Sequence, residues 1–355
     1  MTEQTPQDQF NSTSKNGKPL LEVNSLKMYF PIVKGLFGQV GGYVKAADEV
    51  SFFIQHGETL GLVGESGCGK TTVGRCLVRA YKPTDGSIIY RLADGTDVDL
   101  ANIDSKELRT YRKDIRMIFQ DPYSSLNPRM NVFEIISEVL RVNEMCPPKE
   151  MEYLVADTMK QCGLRPEYMR RYPHAFSGGE RQRIGIARAL VTSPRLVVCD
   201  EAVSGLDVSV RAQILNLMED LRRDMDLTYL FISHDLSVIR HICDRVAVMY
   251  VGKLVELADA NAIYTNPLHP YTESLMSAVP IPNPNLRDRQ NRIRLEGEVA
   301  DPADPPSGCY FHPRCRYAKE ICSTETPVLR DMGNNHTVAC HFAGELELTG
   351  VRSMA

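Results

Sequence analysis

The sequence predicts an α/β fold in which a mainly parallel sheet is covered by helices on both faces and followed by a small loop-rich C-terminal segment. Three observations carry this. Short apolar runs alternate with helical stretches, the pattern of strands joined by crossover helices. A glycine-rich turn, Gly64–Gly69, joins one of those strands directly to a helix. After Tyr264 the texture changes: eight prolines fall between Pro267 and Pro306, and a run of cysteines follows.

Taken in chain order, residues 1–18 are rich in Gln, Asn, Ser, Thr and Lys and are expected to be disordered. Leu20–Tyr29 reads as a strand, followed by the glycine-rich excursion Gly35–Gly42. Alternation in Val50–Ile54 and the apolar Thr59–Val63 give two more strands, and a helix is expected over Lys70–Ala80. Ile115–Phe119 is a short strand ending at Gln120, and 121–190 is mostly helical in pattern, broken by Pro147, Pro148 and Pro173. Arg195–Cys199 and Thr228–Ser233 read as buried strands separated by a helix over Val208–Asp226. A boundary near residue 262 separates 19–262, with a helical subdomain over about 121–190, from an extension over 263–355.

Composition narrows the function classes. With 43% hydrophobic and 24% charged residues the chain has the balance of a soluble globular protein. Nothing in a net charge of −4 argues for nucleic acid, where a strongly basic stripe is expected. No apolar run approaches the roughly 18 residues needed to cross a bilayer, so a cytosolic protein is expected and any membrane role must come through a partner. Of ten cysteines, Cys309, Cys315, Cys322 and Cys340 fall within 32 residues. In a reducing compartment such a group points to metal before disulfides.

Gly64-Glu65-Ser66-Gly67-Cys68-Gly69-Lys70-Thr71 fits G-x-x-x-x-G-K-[ST] in full, with Thr72 next on the helix. Glycines let successive N–H groups curl around phosphate oxygens, and the helix presents its positive dipole end. Lys70 would reach the terminal phosphates and the Thr71 hydroxyl would ligate Mg²⁺. Cys68 beside this helix terminus and Lys70 is either a low-pKa, reactive thiol or only a small residue filling the loop. The strand Leu196–Cys199 ends in Asp200 and Glu201, 130 residues after Lys70. Asp200 suits Mg²⁺, and Glu201 suits the positioning of an attacking water. Ser177-Gly178-Gly179-Glu180 opens a second helix as a phosphate cradle without a lysine. Such a cradle could close the far side of a nucleotide held by another subunit.

The order of these motifs, with Gln120, Ser204-Gly205-Leu206-Asp207 and Ser233-His234-Asp235, resembles that of the ABC ATPases over about residues 20–262. The resemblance implies a P-loop ATPase domain with an antiparallel N-terminal sheet beside the parallel core. It also implies that Ser177, Gly178, Gly179 and Glu180 form the signature facing the partner subunit's ATP, and that Asp207 lies in the dimer-seam loop. By the same resemblance His234 bonds the γ-phosphate, Gln120 senses Mg²⁺, and an aromatic upstream of the P-loop stacks on adenine, first Tyr29 and second Tyr43. The signature's usual final Gln is Glu180 here, and an acid near ATP phosphates repels them unless it points away. The 110-residue stretch (about) before the signature shows no sustained heptads, against a chromosome-structure ATPase, and a single cassette argues against a translation factor.

Asn266-Pro267-Leu268-His269-Pro270-Tyr271-Thr272, Gly35-Leu36-Phe37-Gly38 and Gln120-Asp121-Pro122-Tyr123-Ser124-Ser125-Leu126-Asn127-Pro128 resemble the oligopeptide/dipeptide importer ATPases. That likeness implies two membrane permease subunits, a second and different ATPase chain, an external solute-binding protein, and a peripheral place on the cytoplasmic face of the inner membrane. Nickel, opines and glutathione are alternative solutes. The spacing Cys309-x5-Cys315-x6-Cys322-x17-Cys340 has neither the paired C-x2-C of common zinc sites nor a ferredoxin run. Spacing leaves zinc, an iron–sulfur cluster and free thiols open. The resemblance of Cys309-Tyr310-Phe311-His312-Pro313-Arg314-Cys315 and Val338-Ala339-Cys340-His341 to tails of this subfamily implies a [4Fe–4S] cluster.

Overall fold

The computed structural model describes residues 17–34, 39–121, 125–279 and 292–351. The expectations placed on 1–16, on Gly35–Gly38, on Pro122, Tyr123 and Ser124, and on Pro280 lie outside the described residues. The chain forms two compact units. One comprises Met1–Gln55, Leu60–Ala101 and Ser233–Ala355; the other comprises His56–Thr59 and Asn102–Ile232.

In the first unit, β1 (Leu21–Lys34) and β2 (Gln39–Ile54) pair antiparallel from Leu21↔Ile54 out to Lys34↔Gln39. β4 (Asp85–Arg91) and β5 (Asp97–Asp99) extend this antiparallel sheet in the order β2-β1-β4-β5. A second set of strands places β3 (Thr59–Val63) parallel to β9 (Arg245–Tyr250), with Leu60↔Arg245 through Val63↔Val248. β10 (Lys253–Asp259) returns antiparallel beside β9 across the two-residue turn Val251–Gly252.

The C-terminal extension is part of this unit. β11 (Arg330–Asp331) and β12 (Thr337–Val338) pair with each other, and β12 adds to β10 at Glu256↔Val338. Glu256, fully buried on β10, gathers the extension through its carboxylate. It accepts from the N–H groups of Leu268 (2.6 Å) and His269 (3.0 Å) and pairs with His336 Nε2 (2.7 Å). A buried carboxylate is stable only with its oxygens satisfied in this way. Tyr250 of β9 meets Tyr271 and Phe311 of the extension edge-on, at centroid separations of 4.7 and 5.2 Å.

The second unit holds the parallel strands β6 (Ile115–Ile118), β7 (Leu196–Asp200) and β8 (Thr228–Ile232). Every residue of β7 and β8 is buried, which explains why they read as continuous apolar runs rather than as alternation. Its main helices are Val132–Val142, Pro148–Gln161, Gly178–Leu190 and Val208–Met225. The prolines that interrupt the helical pattern mark element starts: Pro147 is the N-cap and Pro148 the first residue of one helix, and Pro173 opens a short 3₁₀ turn. The α/β class and the parallel core strands are as the sequence predicts, and the antiparallel N-terminal sheet is as the resemblance implies.

Candidate nucleotide site

The loop Gly64–Gly69, the expected phosphate cradle, lies between β3 and the helix Lys70–Leu77 in the first unit. Two glycines let the loop press against neighbouring backbone. At Gly64 (φ +151°) a Cβ would sit 2.2 Å from the Met249 carbonyl oxygen. At Gly69 (φ +106°) it would sit 1.9 Å from the Ala46 carbonyl oxygen. No side chain fits at either place, and the left-handed region adds its own penalty. Ser66 and Gly67 are exposed at the tip, while Thr71 and Thr72 are half-buried on the first helical turn. Lys70 is buried, and its ammonium donates to the carbonyls of Gly64 (2.8 Å) and Glu65 (3.0 Å), so the loop is curled around its own lysine.

Glu65 is held from the extension: Arg314 donates to both carboxylate oxygens (2.8 and 3.1 Å), and the Tyr271 hydroxyl accepts from the Glu65 N–H (2.8 Å). Sequence reasoning missed both partners. They lie 249 and 206 residues from Glu65, in the segments Cys309–Cys315 and Asn266–Thr272, and nothing in those segments points to the loop.

Of the two readings left open for Cys68, the structure favours the small filling residue: burial pushes its thiol up, outweighing the attraction of Lys70, whose Nζ lies 3.7 Å from the sulfur. Only 3% of the residue is exposed, so it is a small residue filling the loop. Tyr29 is half-buried, with its hydroxyl on the Asp48 carboxylate, which also accepts from Tyr310 (3.0 Å) and pairs with Lys253 (3.1 Å). Burial and that carboxylate push the Tyr29 phenol up. Tyr43 on β2 is 50% exposed. His234, also in this unit, is exposed beside Asp235, whose carboxylate caps the helix Leu236–Ile242 by accepting from Ser237 N–H (3.0 Å).

In the second unit Asp200 ends β7 and is 2% exposed. Glu201, next in the chain, has φ +49°, an unfavourable conformation for a residue with a Cβ. Its backbone is pinned there: the N–H donates to Ile232 O (2.9 Å), and the carbonyl accepts from Ser204 N–H (3.0 Å) and Oγ (2.9 Å). Strain held by such contacts is characteristic of functional positions. Gln120 Nε2 donates to Glu201 Oε2 (2.7 Å), so the structure brings these two predicted residues together.

Ser177 caps the helix Gly178–Leu190 in a capping box. Glu180 N–H donates to Ser177 Oγ (3.3 Å), and Glu180 Oε2 accepts from Ser177 N–H (2.9 Å) and Oγ (2.8 Å). The replaced residue therefore folds its carboxylate back onto its own N-cap, and those hydrogen bonds lower its pKa. Gly178 and Gly179 form the first turn behind it. Asp207 is exposed at the N-cap of the helix Val208–Met225, and its side chain makes no capping hydrogen bond.

The extension gathers its cysteines. Cys309 N–H donates to Cys322 O (2.8 Å). Burial pushes the Cys309 thiol up to about 12, and Cys340, Cys322 and Cys315 each add to the rise, so the four sulfurs are within electrostatic reach. The Cys315 thiol is pushed up to about 11, again chiefly by burial. Among the described residues, no group of three or more His, Cys, Asp or Glu is arranged to hold a metal ion, and all ten cysteines are free thiols. No helix among the described residues is long and apolar enough to cross a membrane.

Comparison with known proteins accounts for both parts of the chain. Residues 47–204 match the "ABC transporter" family, and residues 255–322 match "Oligopeptide/dipeptide transporter, C-terminal region". The oligopeptide transport ATP-binding protein AppF of Bacillus subtilis is 50% identical over 93% of this chain and 99% of its own length. The dipeptide transport ATP-binding protein DppF of Haemophilus influenzae is 48% identical, covering 92% of this chain and 97% of that one. OppF of Salmonella typhimurium, an oligopeptide transport ATP-binding protein, is 48% identical over 93% and 98%. Among solved structures, the dimeric ATP-binding cassette MJ0796 bound to ADP and Pi superposes with a TM-score of 0.58 at 23% identity, covering 68% of this chain and 98% of that one. That likeness is one of fold. The chain belongs to the ABC transporter ATPases, in the branch that carries the oligopeptide/dipeptide C-terminal region.

Proposed function

We propose that this chain binds and hydrolyses ATP to power import of di- or oligopeptides through a membrane permease. The observation that carries the reading is a single chain holding both the cassette motifs and the C-terminal region, with relatives named for both peptide classes at 48% to 50% identity. In this reading the loop Gly64–Gly69 receives the phosphates on the amides of Gly64, Ser66, Gly67, Cys68 and Gly69, with Glu65 shaping the loop while its own N–H is held by Tyr271, and Lys70 exchanges its two carbonyl partners for phosphate oxygens. Thr71, Asp200 and Gln120 supply hydroxyl, carboxylate and amide oxygens, a donor set that suits Mg²⁺. When bound, that ion neutralises phosphate charge. Glu201 orients the attacking water, its carboxylate pre-positioned by Gln120, and His234 bonds the γ-phosphate.

Ser177, Gly178, Gly179 and Glu180 serve the nucleotide of a second ATPase subunit, a different chain, across a seam that includes Asp207. Tyr29 stacks on adenine, with the more open Tyr43 as second choice. Two permease subunits and an external solute-binding protein complete the assembly, with this chain peripheral on the cytoplasmic face of the inner membrane. By the resemblance of the tail, Cys309, Cys315, Cys322 and Cys340 would ligate a [4Fe–4S] cluster, with zinc as the alternative; among the described residues they do not form a group arranged to hold a metal ion. The test of function is uptake of labelled di- and oligopeptides by cells lacking this chain and complemented with it. Restored peptide uptake supports the reading, whereas restored uptake of nickel, an opine or glutathione alone overturns it. For the tail, brown protein with about four irons per chain after anaerobic purification supports the cluster, and colourless protein carrying one zinc rejects it.

A further inference from the structure

The C-terminal extension reaches back to the phosphate loop through Glu65. That residue is gripped on its side chain and on its backbone by two parts of the extension. Arg314 forks onto both carboxylate oxygens, and the Tyr271 hydroxyl takes the backbone N–H. A planar guanidinium bound through two parallel hydrogen bonds fixes orientation as well as distance. The pair is sheltered: the Arg314 side chain is 7% exposed and that of Glu65 27%. Arg314 also donates to the Tyr250 hydroxyl (3.4 Å).

Neither gripping residue is on a loose surface arm. Tyr271 is fully buried on the helix Pro270–Ser277, whose N-cap His269 accepts from the Tyr271 N–H through Nδ1 (3.0 Å). Its ring packs against Tyr250 and against Phe311, at 4.7 and 5.4 Å between centroids. Arg314 closes the 3₁₀ turn His312–Arg314 directly after Phe311 and directly before Cys315. The Glu65 carbonyl is meanwhile one of the two oxygens that hold Lys70. A displacement of Glu65 therefore moves the start of the loop and a carbonyl partner of the lysine together.

We propose that Arg314 and Tyr271 are positioning residues for the nucleotide, through which the C-terminal extension sets the shape of the phosphate loop and hence ATP affinity. The proposal rests on the reading of Gly64–Thr71 as the phosphate cradle. By reciprocity, ATP bound to the loop tightens the docking of the extension.

The test is MgATP binding by calorimetry to the full chain and to Arg314→Ala, Tyr271→Phe, Glu65→Gln and Lys70→Ala, with KM and kcat measured for each. Loss of a coupled charged contact should weaken ATP binding roughly tenfold in Arg314→Ala, within the range seen for coupled sites. Removing the single hydroxyl acceptor in Tyr271→Phe should weaken it about threefold to tenfold. Both changes should appear in KM more than in kcat. Arg314→Ala and Glu65→Gln should be non-additive in the double variant, because they break one contact. Should Arg314→Ala fail to fold, Tyr271→Phe and Glu65→Gln, which leave the aromatic cluster intact, decide the question. Wild-type affinity in both of those variants while Lys70→Ala loses ATP overturns the proposal. Wild-type affinity in Lys70→Ala would instead overturn the phosphate-loop reading on which it rests.

Discussion

His269 gives the docked extension a pH dependence that can be worked out from its surroundings. The ring is 1% exposed, and burial lowers its pKa to about 3 from an ordinary value near 6.5. Its Nδ1 must stay unprotonated to accept from the Tyr271 N–H, so the folded state keeps the ring neutral. The unfolded chain binds a proton below about pH 6.5 and the folded chain does not until about pH 3. Stability then rises with pH across that window, is fully present above it, and is lost as pH falls from 6.5 toward 3. At pH 5.5 the unfolded ring is about ten-elevenths protonated, which favours unfolding by about 1.4 kcal/mol. At pH 7.5 the same quantity is about 0.1 kcal/mol. The perturbation is His269→Asn, which retains a capping acceptor without a titratable ring. The assay is thermal unfolding of both proteins at pH 7.5 and 5.5. The parent should lose about 2–4 °C more than the variant on going to the lower pH. Equal losses in the two proteins would refute the argument, since all other titrating groups are common to both.

How much of this was legible in the sequence depends on how far apart the interacting residues lie. β3, β7 and β8 are buried throughout, so each appeared as an unbroken apolar run with its boundary within a residue or two. The P-loop was legible because its glycines answer a backbone constraint, visible at Gly64 and Gly69 as carbonyl oxygens where a side chain would be. β9 and β10 were not read. Their hairpin turns at Val251–Gly252 with φ of +41° and +77°, a tight turn made with a β-branched residue instead of the Asn-Gly or Asp-Gly that signals one. The long β2 was seen only in its last residues, Val50–Ile54, because its first half has no buried residue and carries Gly41-Gly42 where an apolar side chain would mark a strand. Charge reasoning from type alone anticipated repulsion at Glu180, but the capping box turns that carboxylate onto Ser177. The two readings of Cys68 stayed open for a related reason: proximity to a lysine and a helix terminus is visible in a sequence, whereas burial, which here prevails, is not. The grip on Glu65 joins residues more than 200 positions apart, with nothing local to announce it.

Four further outcomes follow from the geometry. Glu201→Gln should keep ATP binding and lose most hydrolysis in the reconstituted complex; near-normal steady-state ATPase activity would contradict the role given to its carboxylate. Ser177→Ala removes the acceptor for the Glu180 N–H and the partner of its carboxylate, and should cost about 1 kcal/mol in denaturant unfolding, whereas Glu180→Gln keeps the box and should change less. Cys68 should react with iodoacetamide more slowly than the partly exposed Cys146, as read by mass spectrometry; faster labelling of Cys68 would restore the idea of an activated thiol. The glycines of the cradle separate two kinds of cost. Gly67 has φ +80° with nothing within 4 Å of its Cβ position, so Gly67→Ala meets only the backbone penalty, about 1–2 kcal/mol. Gly69 has φ +106° and a Cβ position 1.9 Å from the Ala46 carbonyl oxygen, so Gly69→Ala must also push the loop away from β2. That displacement moves the N-cap of the helix carrying Lys70 and Thr71, and should abolish measurable ATP binding while leaving the extension folded. Equal ATP affinities in the two alanine variants would mean that the close approach of the loop to Ala46 plays no part in shaping the cradle.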